Sequence, residues 1–332
     1  MGSKGQDQKG YKKHADRCML LFFTLLIGTL LSGCGRARDP VIKTGFVLDT
    51  VASIAIYDDM PKSEAEKLLE DSFNEIKRYE DLFSTEIEGS DTDRINRSGG
   101  EAVEVSPETA ELIEIALKYS ELSDGAFDIT IRPVSKLWDF RVGKDEPPEK
   151  ELVTKALKHV GYKNLVLDSD KQRVSLKDPE AEIDLGGIAK GYIGDRIKEY
   201  LLYKGVKSAI LNLGGNVVLI GSKPDGSPFK VGIEKPFSEG EMSETLELSD
   251  CSAVTSGNYE RYFYYKDKLY HHILDTKTGY PAESHFNGVT IVSAHSVDGD
   301  ALSTACFCLG KEKAEEMLKS IDDESIKVYY TD

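Results

Sequence analysis

Apolar and polar positions alternate over residues 44–57, where Val51, Ser53 and Ala55 interleave with Ala52, Ile54 and Ile56. A period of two marks a strand with one buried face, so this stretch is expected to be β. The period then changes. Leu69, Phe73, Ile76, Tyr79 and Phe83 recur at helical spacing behind Pro61 and predict a helix with one buried stripe. Residues 84–100 are polar and glycine-bearing and predict a loop. Ser106-Pro107 supplies an N-cap and a first-turn proline for a second helix, buried through Leu112, Ile113, Ala116 and Leu117. After a charged linker at 144–150, residues 151–160 predict a short helix, with Val153, Ala156, Leu157 and Val160 inward.

Strands are expected at 164–167, 173–176 and 181–183, then a helix to about Lys204. The next part is mostly β, at 208–213, 217–221, 230–234, 245–248, 261–265, 269–274 and 289–292, with turns at Pro224-Asp225-Gly226 and Lys277-Thr278-Gly279. Two last helices, 300–309 and 311–319, and a strand at 326–330 close the chain. There is no regular βαβ alternation. The pattern therefore predicts an α+β fold, with mixed, largely antiparallel sheets packed with helices and a single catalytic unit of two lobes.

Composition adds a boundary condition. The 332 residues are 40% hydrophobic and 30% charged, with a formal net charge of −16. Residues 1–33 carry a net +3, which leaves −19 on the remainder. Such a body repels nucleic acid, and an anionic substrate would need a metal ion, a Lys or a helix end to offset the repulsion. Lys12, Lys13 and Arg17 precede an apolar run from Met19 to Leu31, which ends in Leu31-Ser32-Gly33-Cys34. A basic region, a short apolar stretch and small residues before a cleavage point make a secretory signal, and the run is shorter than the ~20 residues of a spanning helix. Its ending resembles a bacterial lipobox, which implies cleavage before Cys34 and a lipid on that thiol. Residues 1–33 are thus read as a lipoprotein signal peptide, 34–43 as lipidated cysteine and tether, and 44–332 as the catalytic unit. Cys251, Cys306 and Cys308 remain. Cys306 and Cys308 are two apart on a helix and face different ways, so buried free thiols are expected.

Four stretches could carry chemistry. Residues 183–195 read as strand, Gly186-Gly187 turn and helix with Lys190 in its first turn, an arrangement that aims amides and the helix dipole at an anion or is only a tight connection. Asp300 and Thr304 are four apart on a helix and share a face. A carboxylate and a hydroxyl are hard oxygens that suit Mg²⁺, although Asp300 could equally be a capping residue. Residues 255–261 form a polar turn entering an aromatic strand. His271 and His272 precede Asp275, and because neighbours on a strand face opposite ways, at most one of them faces a given site.

Taken in order, Gly125-Ala-Phe-Asp128-Ile-Thr130, Asp184-Leu-Gly-Gly-Ile-Ala-Lys190, Asn212-Leu-Gly-Gly-Asn216, Ser256-Gly-Asn-Tyr-Glu-Arg261, His272-Ile-Leu-Asp275 and Asp300-Ala-Leu-Ser-Thr304 resemble the motifs of the FAD:protein FMN transferases. Trp138 and Phe140 fit as well, and the likeness spans about 44–310. The resemblance implies an enzyme that cleaves the pyrophosphate of FAD, moves FMN onto a Ser or Thr hydroxyl of a target protein, and releases AMP with Mg²⁺. It implies Asp300 and Thr304 as metal ligands with the Gly187 carbonyl. Asp184, Lys190, Phe127, Asp128, Thr130 and Ile273 would contact the flavin nucleotide. Leu48-Asp49-Thr50 stands where many members have Met-Gly-Thr, with Leu48 in the Met place. Asp298 lies one residue off the position of a further acid in some members and is left out of the metal set. His272 is the first candidate for general base and Asp300 the second. The implied acceptor is an exported or membrane flavoprotein, and the implied location is the extracytoplasmic face of the cell membrane, lipid-anchored through Cys34. An FAD pyrophosphatase that yields FMN and AMP, and a lipoprotein that only binds FAD, remain the alternatives.

Overall fold

Seven strands form one antiparallel sheet whose two faces explain the hydrophobic pattern. In chain order the elements are β1 (Val41–Val47), β2 (Thr50–Ile56), α1 (Lys62–Phe83), α2 (Asp91–Asn96), β3 (Val103–Glu104), α3 (Pro107–Leu122), α4 (Arg132–Trp138) and α5 (Lys150–Ala156). There follow β4 (Leu165–Asp168), β5 (Arg173–Leu176), α6 (Ala189–Tyr203), β6 (Ala209–Leu213), β7 (Asn216–Ile220), β8 (Phe229–Glu234), β9 (Met242–Leu248) and β10 (Ser252–Gly257). The chain closes with β11 (Tyr262–Tyr265), β12 (Lys268–His271), β13 (Gly288–Ser293), α7 (Ser296–Leu309), α8 (Lys311–Lys319) and β14 (Lys327–Thr331). This computed structural model describes residues 39–138, 140 and 146–332. The signal stretch, Cys34, most of the tether and part of the charged linker lie outside the described residues. The described residues all belong to one unit, Arg38–Asp332.

The large sheet runs β1-β2-β6-β7-β10-β13-β14. Register puts Ile54, Leu211, Val218, Val254 and Ile291 on one face, because directly opposed residues share a side. That face is covered by α1, α6 and α7, and Leu69, Phe73, Ile76 and Ile193 pack into the same core. The opposite face carries Leu219, Ala253 and Val292. These are roofed by the β8–β9 hairpin, which inserts Phe229, Val231 and Ile233 at alternate positions. A third cluster gathers Val134, Trp138, Val153 and Leu274, and the Trp138 indole donates to Gly279 O at 2.8 Å. It ties α4 and α5 to the segment that follows β12. Small sheets β3-β5-β4 and β11-β12 complete the α+β architecture.

Several expectations change in detail. The β stretch at 44–57 is a hairpin that starts at Val41 and turns at Leu48-Asp49, both with φ of 55°. Residues 84–100 include α2, capped by Ser90, which accepts from Asp93 N, and stapled by Asp91, which accepts from Ser106 N and Thr109 Oγ1. A six-residue helix held by caps leaves almost no apolar period to read. Residues 181–183 make only a single bridge, Ile131 to Glu182, rather than a strand. Residues 255–257, expected as a turn, are the end of β10, since their polar side chains disguise a strand paired with β13. Helix α7 begins at Ser296, four residues before the expected start. Cys251, Cys306 and Cys308 are free thiols.

Candidate active site

The site forms at one end of the large sheet, where strands of unequal length leave a step. Strands β6 and β7 turn back through Gly214-Gly215, whose φ values of 62° and 94° are those a two-residue hairpin turn requires. Strand β10 pairs with β7 only as far as Val254 opposite Asn216, so Ser256 continues past the β7 end against β13. Helix α7 lies over this step. Ser256 Oγ meets Ser303 Oγ at 2.8 Å and Thr304 Oγ1 at 3.2 Å. Thr304 is thereby fixed one helical turn from Asp300.

The second wall is the seam between α6 and α7. Gly191 lets the two helices touch: a β-carbon there would sit 2.4 Å from Ser296 O. Asp195, one turn further along α6, accepts from Ser296 N at 2.8 Å and Val297 N at 2.9 Å, and so caps α7. Asp300 reaches back, and its Oδ2 accepts from Gly191 N at 2.8 Å. Helix α6 begins only at Ala189, so the Gly191 N–H is one of the donors that a helix start leaves without an internal partner, and Asp300 satisfies it; Gly187 lies in the turn just before the helix.

The chemistry of these oxygens fits a hard divalent cation. Burial pushes the Asp300 carboxyl above its ordinary range, while Lys190, the Gly191 amide and Asn216 pull the other way. The Asn216 amide lies near the carboxylate but its Nδ2 falls short of hydrogen-bond geometry. A buried carboxylate, a hydroxyl and a backbone carbonyl from the turn would suit Mg²⁺, which keeps few protein ligands and completes its shell with water and phosphate oxygens. Among the described residues no three His, Cys, Asp or Glu side chains gather as a metal cage. The Gly186-Gly187 turn is otherwise largely spoken for: Gly186 N donates to Asp184 Oδ1 at 2.9 Å, and Ile188 N and Ala189 N donate to Leu185 O. This leaves the Gly187 and Lys190 amides available to an anion.

His272 follows β12, and its N–H donates to Arg261 O at 3.1 Å. Its Nδ1 is enclosed without a partner. Burial, with Arg261, His271 and Lys190 adding to it, lowers its pKa to about 3, so the ring is neutral and open to a proton. His271 faces the core instead, where it meets Phe307 edge-on and Nε2 lies 3.1 Å from Ala282 O. The alternation expected from the strand thus separates the two rings.

The residues expected to contact flavin divide by what already holds them. Phe127 is buried against the glycine turn, 3.5 Å from where a Gly187 β-carbon would lie. Asp128 Oδ1 accepts from Thr130 N and Oγ1, its Oδ2 accepts from Tyr162 N, and Thr130 Oγ1 accepts from Gly161 N. These two shape the loop that presents Phe127. Asp184 faces Arg132 at 3.9 Å besides bonding Gly186. Ile273 is buried beside His272, with its carbonyl taken by Ala282 N. Leu48 sits in the β1–β2 turn, and its amide donates to Glu80 Oε1 at 2.8 Å. That turn lies by Gly214, which approaches Thr50. A surface hollow of about 340 Å³ lies elsewhere, along Lys150 and Thr154 of α5 and Lys158 just after it, and holds none of these groups.

Four further residues shape the site: Gly191, Asp195, Asn216 and Ser256. Gly191 and Asp195 fall on the period of four that runs from Gly187, a spacing that would have flagged them. Nothing local in the sequence pairs Asp195 with residue 296.

Fold and site together define a class of architecture: an antiparallel sheet at the centre, with a glycine turn and helix start packed against a helix that carries a carboxylate and a hydroxyl. The profile of the ApbE family matches residues 48–329. An FAD:protein FMN transferase of Klebsiella pneumoniae is 38% identical over 263 residues, covering 79% of this chain and 81% of that protein. The crystal structure of the ApbE protein of Thermotoga maritima superposes with a TM-score of 0.80 at 34% identity, covering 88% of this chain and 94% of that one. The flavin transferase ApbE of Vibrio cholerae gives 0.77 at 25% identity, over 88% and 97%. This chain belongs to the ApbE family.

Proposed function

We propose that this protein transfers FMN from FAD to a Ser or Thr hydroxyl of a target protein and releases AMP. The observation that carries the reading is the bond from Gly191 N to Asp300, which ties the helix bearing Asp300 and Thr304 to the start of α6, directly after the Gly186-Gly187 turn. Asp300, Thr304 and the Gly187 carbonyl would hold Mg²⁺. When bound, the ion would neutralise pyrophosphate charge and stabilise the leaving AMP.

The chain's own groups supply the rest. Lys190 and the Gly187 amide meet the phosphates, and Phe127 borders the same turn. The acceptor oxygen forms a bond to the FMN phosphorus as the bridging oxygen departs with AMP, and the hydroxyl proton passes to a base. His272 is the base we assign to that proton. Its low affinity comes from burial and from the cations Arg261 and Lys190, so an incoming anionic pyrophosphate would raise it toward a useful range.

The location follows the leader. Residues 1–33 would export the chain and leave it lipid-anchored through Cys34 on the outer side of the cell membrane, where exported or membrane flavoproteins are the acceptors. Among the described residues no helix is long and apolar enough to cross a membrane. The test is to incubate the protein with FAD, Mg²⁺ and a Ser/Thr acceptor and weigh every product. Acceptor that gains the mass of FMN, with one AMP released per transfer, is the expected result. Free FMN and AMP with unmodified acceptor would make it a pyrophosphatase, and intact bound FAD would make it a binding protein.

A further inference from the structure

The large sheet is roofed on its second face only in part. The β8–β9 layer reaches Val217, Leu219, Ala253 and Val292, and stops near Ile210 and Tyr57. Beyond it, the β1–β2 hairpin shows a bare outer face. Register places Ile42 opposite Ala55, Thr44 opposite Ser53 and Phe46 opposite Val51 on that side. None of these six side chains is charged, in a chain whose net charge is −16. Phe46 is 74% exposed, Val51 49% and Ile42 44%. Edge strands normally carry Lys, Glu or Pro outward to discourage association. Here the charge of β1, Lys43, lies on the other side and pairs with Glu70 of α1.

Chain order says what covers this face. Ile42 stands eight residues after Cys34. Eight residues of extended chain span at most about 29 Å, so a bilayer holding a lipid on Cys34 cannot lie far from the hairpin. No other folded element is so close to that cysteine in the chain. A single acyl chain binds a membrane only marginally, and stable attachment takes a second contact. The net charge disfavours a contact made with anionic headgroups, whereas an uncharged apolar face with an aromatic at its end suits the headgroup–acyl boundary.

We propose that the outer face of the β1–β2 hairpin rests on the bilayer that holds the Cys34 lipid, with Phe46, Val51 and Ile42 entering its interface. This rests on the reading of Cys34 as lipidated. One consequence concerns the site. Phe46 lies two residues from Leu48, at the same sheet end as the Gly214 turn. A hairpin lying flat would hold the site's mouth along the membrane surface, level with a membrane-bound acceptor.

The test uses the full, lipidated chain in phosphatidylcholine vesicles with brominated acyl chains. The protein has one tryptophan, Trp138, fully buried and therefore a constant background. Phe46→Trp adds a reporter on the face. Tyr203→Trp adds a control on the helical side of the sheet, where Tyr203 is 85% exposed. The expected result is co-flotation of both variants, with emission from position 46 shifted blue and quenched several-fold more than emission from position 203. Co-flotation with equal, weak quenching at both positions would overturn the inference and leave the anchor standing. A blue shift at 46 that bromolipid does not quench but that grows with protein concentration would assign the face to a second copy and overturn it as well. Failure to float would remove the lipidated cysteine, and the inference with it.

Discussion

A single methyl group at position 191 tests the seam on which the site is built. In an ordinary helix Gly→Ala gains about 1 kcal/mol from propensity. Here the new β-carbon would lie 2.4 Å from Ser296 O, 2.7 Å from Val297 Cα and 2.8 Å from Asp300 Cβ. The first two are backbone atoms and cannot rotate away. Ordinary contact begins at 3.4 Å, so α7 must withdraw from α6 by the 1.0 Å difference from 2.4 Å. Overpacking of this kind costs roughly 1–3 kcal/mol, which the propensity gain only partly offsets. The functional cost is larger. Withdrawal stretches the 2.8 Å bond from Gly191 N to Asp300 beyond hydrogen-bonding range. Asp300 is then no longer held against the start of α6, and its carboxylate shifts relative to the glycine turn. A displacement near 1 Å at reacting groups costs about 10²-fold in rate. FMN transfer to an acceptor, measured at saturating FAD and Mg²⁺, should fall by about that factor, while urea unfolding shows net destabilisation on the order of 1 kcal/mol. Unchanged transfer with a stability gain near that of an ordinary helical Gly→Ala would refute the argument.

The remaining expectations concern the same elements. Thr304→Val keeps shape but removes a hard oxygen; Mg²⁺ affinity in the presence of FAD, read by calorimetry, should weaken about tenfold, or 1.4 kcal/mol, and an unaltered isotherm would take Thr304 out of the ligand set. Burial lowers His271 to about 4 and His272 to about 3, so each holds its proton less tightly folded than unfolded. The stability this gives is present above pH ~6.5 and is lost as pH falls toward the folded values. His271→Gln should flatten that acid limb in urea midpoints taken from pH 7 to 4. Asp195 has the opposite sign. Burial, set against the bonds from Val297 and Ser296, raises it to about 6 from 3.8. Stability from this group therefore declines as pH rises from ~4 to ~6, by on the order of 3 kcal/mol at 1.36 per unit. Asp195→Asn should abolish that slope, and at pH 7 it should slow transfer, because the amide nitrogen cannot accept the bond that one carboxylate oxygen now takes from Ser296 N or Val297 N. Identical pH dependence in variant and parent would contradict the assignment.

What was legible in the sequence was whatever rests on local period. The alternation in β2, the stripe of α1 from Leu69 to Phe83 and the cap at Ser106 each specify their element, and largely antiparallel sheets with helices followed from them. The places that misled are those where distant partners decide. Helix α2 has one buried apolar residue, Ile95, and is held by Asp91 reaching Thr109. The end of β10 carries Thr255 and Ser256, which look like a turn until β13 and α7 give their hydroxyls partners, Thr290 Oγ1 at 2.7 Å among them. Residues 181–183 have strand composition but no neighbouring strand to pair with. The site shows the same division. The four-residue spacing of Asp300 and Thr304 could be read directly. The bond from Asp300 to Gly191 spans 109 positions and could not.

Under the proposed function, that bond also accounts for a cation site that would need no carboxylate cluster. A cage of three acids would add charge to a body that already repels phosphate. Here a single buried carboxylate does two things at once. One oxygen takes the Gly191 amide and ties α7 to the start of α6 beside the glycine turn. On the proposed reading the carboxylate's remaining capacity, the Gly187 carbonyl and the Thr304 hydroxyl would offer three donors for only one negative charge, while Lys190 opposes the upward push that burial gives the Asp300 carboxyl. The consequence is strong coupling. Loss of the Asp300 carboxylate would remove both a proposed ligand and the tie to Gly191, so its effect should exceed that of losing Thr304. It should also be non-additive with Gly191→Ala, since both changes break the same contact.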